Sequence, residues 1–413
     1  MWERVTRQTR AATRRNRDFA LLWFGQVSST LGSKMVQLAV PLYVLGTTGS
    51  TVDAGLVAFA AVLPGIALQL PAGVLVDRLN RKTIMLVCEG VRFAGAASVV
   101  LSFCYGNVSV LHLAVVAAVE SAAAAFFDLA EEAALPQIVR RAELARAIAF
   151  NQARIRVAIL AGPALGGVLF GISPILPFLA DALSYLVSGV CVLLIRARLS
   201  GDRTAPVPGD RRSDLREGWH WVRARPFFLM AAVSIGLTNI VGTAFPLAVT
   251  AKLTGEGLSP YGVGLVIGTL GVSGLLGSIV APRITNTVPV GTVLVLSRWL
   301  MAISLVGAAV VWGGMLTAIC VAPIAVASLV SNVSFGATRL REIPEQFRGR
   351  VNSVLTLFTT VLTPLGPLAV GFVIAEWGPV WNMVALAAFM TLVALLSSAS
   401  RALRSPLQNV APR

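Results

Sequence analysis

Apolar stretches of twenty or more residues, separated by short polar segments, run along almost the whole chain. A bilayer core of about 30 Å takes roughly 20 apolar residues per helix. The pattern therefore predicts twelve spans, at approximately 19–46, 52–76, 83–105, 109–130, 151–172 and 174–196, then 227–251, 258–281, 290–313, 315–338, 351–374 and 378–400. The expected fold is an all-α integral membrane protein of two six-helix halves. A basic arm at 1–18 precedes the first half at 19–196. A central linker at 197–226 leads to the second half at 227–400, and 401–413 form a tail.

The segments between spans carry the charge, and they carry it unevenly. With an even number of spans both ends of the chain share a side, and 30 of the 34 Lys and Arg fall there. Because Lys- and Arg-rich segments stay in the cytoplasm, both termini are expected inside, in a plasma or inner membrane. The N-terminal arginines resemble the start of a signal peptide. Phe19–Leu45 is longer than a signal's apolar region and no small-residue cleavage motif follows, so this first span is expected to be retained.

Composition narrows the function classes. At 56% hydrophobic and 13% charged the chain is too apolar for a soluble protein. The net charge of +15 alternates with apolar runs, which marks membrane topology and excludes a nucleic-acid partner. Cys88, Cys104, Cys191 and Cys320 lie inside apolar stretches without a disulfide or zinc pattern. His112 and His220 are too few for a multi-His metal site. There is no phosphate-cradling GxxxxGK[ST] loop and no hydrolase or redox signature. Neither an enzyme nor a cofactor is expected, and transport would draw on an ion gradient or the substrate's own gradient.

The two halves resemble each other. LPQIVRRAELARA (135–147) answers IPEQFRGRVNSV (343–354), and GPALGGVLFGISP (162–174) answers GPLAVGFVIAEWGP (366–379). Pro41 answers Pro246, and Arg92 roughly answers Arg298, at offsets of about 204 to 209 residues. This is a duplication.

Between the second and third spans stands GVLVDRLNRK (73–82). It resembles the cytoplasmic signature of the major facilitator superfamily, G-x-L-A-D-R-x-G-R-K. Gly73, Leu75, Asp77, Arg78, Arg81 and Lys82 match it, Val76 stands for the Ala, and Asn80 replaces the second Gly. The resemblance implies a latch in which Asp77 docks against the other half and Gly73 allows close helix approach. The alternative for Arg78, Arg81 and Lys82 is that they only set topology. Gly162, Pro163, Gly166 and Gly167 in the fifth span resemble the core of the motif of drug antiporters of this superfamily, which implies export. Ala158 stands where the longer motif prefers Gly, and close helix packing is expected of these residues in any case.

Much of the chain is similar to the macrolide-efflux and enterobactin-exporter branch of that superfamily. The similarity runs through RNRDFALLWFGQVSSTLG (15–32), FFDLAEEAALPQIV (126–139), DALSYLVSG (181–189), LREGWHWVRARP (215–226) and IPEQFRGRV (343–351). Two departures matter. Ser33-Lys34 stands where the branch carries an Asp on span 1, and Glu131 stands where it carries an Arg, a basic partner for Asp77.

Charge inside a bilayer is unfavourable unless paired or hydrated, so each such group is a functional candidate. On span 1, Trp23, Gln26, Thr30, Lys34, Gln37 and Pro41 fall on one helical stripe. Span 4 carries Glu120 at similar depth, with Phe127 and Glu131 on its face. Span 7 offers Asn239 and Thr243, and span 10 presents Ser328, Asn332, Phe335 and Arg339. In the superfamily these four spans surround the cavity, so the resemblance converges the four stripes on a substrate site near the midplane. Glu120 is the leading candidate for proton coupling. Asp181 and Asp128 are its alternatives, lying nearer the membrane surfaces where capping or packing also suits them. Glu89 and Arg92, at i,i+3, are read as a structural helix pair, and Arg298 likewise. Glu131 and Arg339, at repeat-equivalent cytoplasmic helix ends, are expected to pair when that side closes.

The sequence thus points to a monomeric, twelve-helix exporter of a moderately hydrophobic small molecule (an antibiotic, siderophore or secondary metabolite), driven by proton antiport. A lysophospholipid or other metabolite transporter of the same fold is the alternative within transport. A non-transporting receptor is the alternative outside it.

Overall fold

The computed structural model describes residues 2–106, 108–197, 199 and 211–404. The middle of the expected linker and the end of the expected tail lie outside the described residues. Fifteen α-helices follow in order: α1 Trp2–Thr48, α2 Thr51–Ala60, α3 Leu63–Arg78, α4 Arg81–Cys104, α5 Val110–Ile138, α6 Leu144–Ile172, α7 Leu176–Leu194, α8 Arg211–Arg223, α9 Pro226–Gly255, α10 Pro260–Thr287, α11 Val290–Val310, α12 Gly314–Glu342, α13 Arg348–Thr360, α14 Leu365–Ala399 and α15 Arg401–Arg404. No strand occurs among the described residues. The protein is an all-α, multi-pass membrane protein.

Among the described residues ten segments are long and apolar enough to cross a membrane. One of them, Glu345–Ala399, has 55 residues, about 80 Å of helix, more than twice a bilayer core. It is interrupted at Gly378, whose φ of 82° is a conformation open chiefly to glycine and is followed by Pro379. Helix α1, which carries the Lys34 and Gln37 stripe, is more polar than the ten.

Two expected spans are broken by proline. The span expected at 52–76 divides into α2 and α3 at Pro64, which stands at the start of α3 and has no N–H for the preceding turn. The span expected at 351–374 divides into α13 and α14 around Pro364 and Pro367. Here the structure repairs the loss. Thr363 N turns to Thr360 O, and two side chains of α9 take up the freed carbonyls. Asn239 Nδ2 donates to Thr359 O at 2.9 Å, and Thr243 Oγ1 to Thr363 O at 2.6 Å.

The chain forms two compact units, Met1–Thr47 with Ala60–Ala205, and Thr48–Phe59 with Pro206–Arg413. In the first, α4 packs between α5 and α7, and α3 lies on α5. In the second, α11 packs between α12 and α14, and α10 lies on α12. The same neighbour pairs recur, as a duplication requires. The segment Thr48–Phe59, early in sequence, belongs to the second unit. There Thr51 Oγ1 donates to Gly371 O at 2.8 Å, and a Cβ on Gly55 would lie 2.8 Å from Pro367 O.

Glycine sets the closest helix contacts. Helix α6 lies on α1 at Gly162, where a Cβ would collide with Lys34, and at Gly166, where it would lie 2.8 Å from Met35 O. The repeat-equivalent Gly366 meets Ile240 and Thr243 of α9 in the same way. Pro163 and Gly167 are buried beside them. Gly73 differs from its expected role. A Cβ there would meet nothing within 4 Å, so it mediates no close approach.

The segment expected as a plain linker contains a helix. Helix α8 packs on α13, its Gly218 close to Arg350 O. Trp219 stacks on Phe358 at 5.7 Å between ring centroids, and Glu217 pairs with Arg350. At the far end of α9, Lys252 binds Glu256 and donates to Val311 O at 2.8 Å. Glu256 in turn accepts from Gly313 N at 3.0 Å.

Gly166→Val should force α6 away from α1 and destabilise the protein by about 1–3 kcal/mol, read as a lower melting temperature of purified protein. Gly73→Ala should leave it unchanged. Equal melting temperatures for the two variants would contradict the packing described.

Candidate functional site

The polar interior of the first unit is organised by two buried arginines, neither of which can give up its proton. Arg92, on α4, is 8% exposed. Its Nη1 lies 3.8 Å from Glu89 Oε2, and its Nη2 donates to Ser33 Oγ at 3.1 Å and Tyr185 Oη at 3.3 Å. The guanidinium sits 4.2 Å over the Tyr185 ring, a favourable cation–π placement. Glu89 Oε1 accepts from Ser188 Oγ at 2.6 Å and from Gln26 Nε2 at 3.1 Å. Three helices make this knot: Gln26, Ser29 and Ser33 from α1, Glu89 and Arg92 from α4, and Asp181, Tyr185 and Ser188 from α7. Gly25 and Gly32 let it form, since α1 comes so close to α7 that a Cβ on Gly32 would lie 2.6 Å from Asp181 Oδ1.

The second arginine is Arg154, on α6. It holds Glu131 through two parallel hydrogen bonds, Nη1 to Oε1 at 2.8 Å and Nη2 to Oε2 at 3.1 Å. Asn151 adds a third at 3.3 Å. Glu131 is buried at 5%. The expectation gave Glu131 a partner on span 10. The structure instead commits both of its oxygens to Arg154, in a fork that leaves no charge over.

The second unit treats its arginine differently. Arg298, the repeat counterpart of Arg92, is 1% exposed and donates to Ser234 Oγ at 3.1 Å and Ser331 Oγ at 2.6 Å. Ser234 stands 205 positions after Ser29, so the hydroxyl partner is duplicated as well. No carboxylate pairs with Arg298 among the described residues.

The expected cavity residues separate into four groups. Phe127 and Phe335 are core, 0% and 3% exposed in apolar clusters of their own units, and do not line a cavity. Gln26 is buried in the Arg92 knot, and Thr30 Oγ1 donates back to Gln26 O at 2.6 Å. Asn239 and Thr243 serve the proline break of the second unit. Lys34, Gln37, Ser328 and Asn332 keep accessible polar surface. Lys34 Nζ donates to Gln37 Oε1 at 2.9 Å, and Asn332 Nδ2 to Ser328 Oγ at 3.5 Å. Glu120 is half-buried and Asp128 exposed, whereas Asp181 is 1% exposed. Arg339 lies over the Phe335 ring at 5.2 Å.

In the 73–82 segment Asp77 and Arg78 are exposed. Asn80, the departure from the signature, caps α4 by accepting from Lys82 N at 2.9 Å. Arg81 N donates to Leu199 O at 2.9 Å. Lys82 Nζ donates to Leu193 O and Ile195 O at 2.9 and 2.7 Å. A cation on the last carbonyls of α7 satisfies groups that the helix leaves free.

Glu89, Arg92, Arg154, Tyr185 and Ser188 are the residues that pattern reading passed over or set aside. Asp181, Tyr185 and Ser188 recur at i, i+4 and i+7 on α7, and this polar stripe was the available signal. Among the described residues no three His, Cys, Asp or Glu are grouped so as to hold a metal ion.

The family model described as transmembrane secretion effector matches residues 8–411. Macrolide efflux protein A of Streptococcus pyogenes is 25% identical over 201 residues, 48% of this chain and 50% of that protein. The match thus spans half the length of that relative. Enterobactin exporter EntS of Citrobacter koseri is 24% identical over 373 residues, covering 88% and 86% of the two chains. Multidrug efflux pump Tap of Mycolicibacterium fortuitum is 28% identical over 274 residues, covering 63% and 65%. Among solved structures, nucleoside transporter NupG aligns with a TM-score of 0.75 at 12% identity, over 92% of this chain and 98% of that one. An inward-facing bacterial homologue of ferroportin aligns at 0.69 and 16% identity, over 93% and 99%. These last two show likeness of fold.

Removing one partner of a buried ion pair strands the other, at about 3–5 kcal/mol. Arg154→Met should therefore be strongly destabilising, and Glu131→Gln added to it should recover most of the loss, as read from melting temperatures. Glu131→Arg with Arg339→Glu should show no recovery. Recovery in that swap would instead favour the pairing expected from sequence.

Proposed function

The chain belongs to the transmembrane secretion effector family of the major facilitator superfamily, and from that premise we propose that it exports a moderately hydrophobic small molecule in exchange for protons. It is a transporter and not an enzyme. In this reading α1 and the two parts of Glu345–Ala399 bring the crossings to twelve, with both termini in the cytoplasm and the protein monomeric in a plasma membrane. The relatives named as efflux pumps and an exporter support the outward direction. The Gly162–Gly167 motif supports it too.

The observation that carries the coupling is the state of Glu120. It is half-buried on α5, within electrostatic reach of Arg92, and its carboxylate has no hydrogen-bond donor among the described residues. A carboxyl group with a buried cation on one side and an accessible face on the other can take up and release a proton without breaking a hydrogen-bond network. Glu131 and Glu89 are committed to Arg154 and Arg92 and are unsuited to that role. Lys34 and Gln37 of the first unit offer accessible polar surface to substrate, and Ser328 and Asn332 of the second do so on their own unit. The latch falls to Asp77, because Lys82 is occupied in capping α7 and Asp77 is free to dock.

Two measurements test this. Glu120→Gln in proteoliposomes should abolish flux driven by a pH gradient while leaving substrate binding measurable, and wild-type flux in that variant would refute the assignment. Asp77→Asn should increase thiol labelling of a cysteine placed on the inner cavity wall. Unchanged labelling with unchanged flux would reduce the 73–82 loop to a topology signal.

A further inference from the structure

The knot around Arg92 contains more acid than one cation balances. Arg92 pairs with Glu89 and lies within electrostatic reach of Asp181 and Glu120. One guanidinium neutralises one carboxylate. A second ionised carboxylate buried beside the first would stand as an uncompensated charge within the membrane.

Hydrogen bonding decides which acid is charged. Glu89 Oε1 receives Ser188 Oγ at 2.6 Å and Gln26 Nε2 at 3.1 Å, and Oε2, which accepts no hydrogen bond, faces Arg92 Nη1 at 3.8 Å, two donors and a cation that suit an ionised carboxylate. Asp181 is 1% exposed; its carboxyl shares a side-chain hydrogen bond with Tyr185, but its Oδ1 has no hydrogen-bond partner. That oxygen faces the backbone of α1 at Gly32, where a methyl group would not fit. An ionised oxygen buried with nothing to accept from is strongly disfavoured, whereas a neutral carboxyl in the same place is far less so.

Every element packed around Asp181 bears on its charge. From α4 come Arg92 and Glu89, from α5 Glu120, and from α7 itself Tyr185. Helix α1 presents Ser33 and Ser29, while its Lys34 is turned to Gln37. Helix α6 carries Arg154, which Glu131 occupies.

We propose that Asp181 carries a proton, that Glu89 is the anion balancing Arg92, and that Asp181 is a second proton site behind Glu120. In the transfer the proton leaves the Asp181 carboxyl for the Glu120 carboxylate. The step moves one negative charge from Glu120 to Asp181 and leaves the net charge of the cluster unchanged. Because Glu89 already balances Arg92, the ionised Asp181 is a transient state that must take up a proton again. Arg92 acts as a positioning residue, fixing which acid is ionised. Only the transfer step rests on the antiport reading. The protonation of Asp181 stands on the geometry alone.

Infrared spectra of the purified full chain in lipid nanodiscs test the protonation without transport. At neutral pH the wild type should show the carbonyl stretch of a buried carboxylic acid, recognised by its shift in D2O. The band should vanish in Asp181→Asn and persist in Glu120→Gln. Glu89→Gln removes the anion that balances Arg92, so Asp181 should ionise and the band should be lost there too. Arg92→Gln should add a second band as Glu89 takes up a proton. The proposal is overturned if the wild type shows no such band from mildly acidic to mildly alkaline pH, or if the band survives Asp181→Asn. With the band present, loss of pH-driven flux in Asp181→Asn supports the transfer step, and unchanged flux refutes that step alone.

Discussion

A guanidinium keeps its charge at every pH a cell meets, so a chain that buries one within a bilayer must build its surroundings to suit. This constraint organises the interior of the protein. Arg92 draws hydroxyls and carboxylates from three helices, Arg154 locks α6 to α5 through Glu131, and Arg298 gathers the serines of the second unit. The glycines of α1 follow from the same demand. Short polar groups reach Arg92 only because Gly25 and Gly32 bring two backbones nearly into contact. Helix packing and charge balance are therefore one problem here, solved at the same positions.

The duplication shows how two copies of one solution drift apart. Arg92 and Arg298 keep an equivalent place and an equivalent serine, Ser29 and Ser234. Around the first, carboxylates have accumulated in excess of the positive charge. Around the second there are hydroxyls. A hydroxyl can satisfy an N–H but cannot answer for a proton at neutral pH, so among the described residues it is the surroundings of Arg92, and not those of Arg298, that hold groups able to change charge. The difference arises from side-chain substitution on a shared backbone plan.

Much of the architecture could be read from the chain because apolar run length and basic-loop placement are strong, local signals. The close contact at Gly162 and Gly166 was also legible, since small residues at i, i+4 have few other uses in a membrane helix. Partner choice was not legible. Glu131 was assigned to Arg339 on repeat symmetry, but Arg154 of α6 presents it with a fork matched to a carboxylate. Asn239 and Thr243 read as cavity polarity, yet they answer carbonyls freed by Pro364 and Pro367, whose positions in sequence are some 120 residues away. Phe127 and Phe335 shared stripes with polar residues while packing into apolar clusters, because one helical stripe spans both a polar and an apolar edge. Helix α8 was hidden in a segment whose charge suggested a linker, although Leu215, Trp219 and Val222 at i, i+4 and i+7 carry a helical period.

The placement of Thr48–Phe59 in the second unit has a consequence in time. Thr51 and its partner Gly371 are separated by 320 residues of chain. A ribosome adding about 5–20 residues per second needs roughly 15–60 s to deliver the second after the first. Throughout that interval the Gly55 face of α2 is in the membrane with no helix to receive it. The contacts that Thr51 and Gly55 make with α14 therefore form only after residue 371 has been synthesised, so this corner of the second unit is among the last to close although its first segment of sequence is made early.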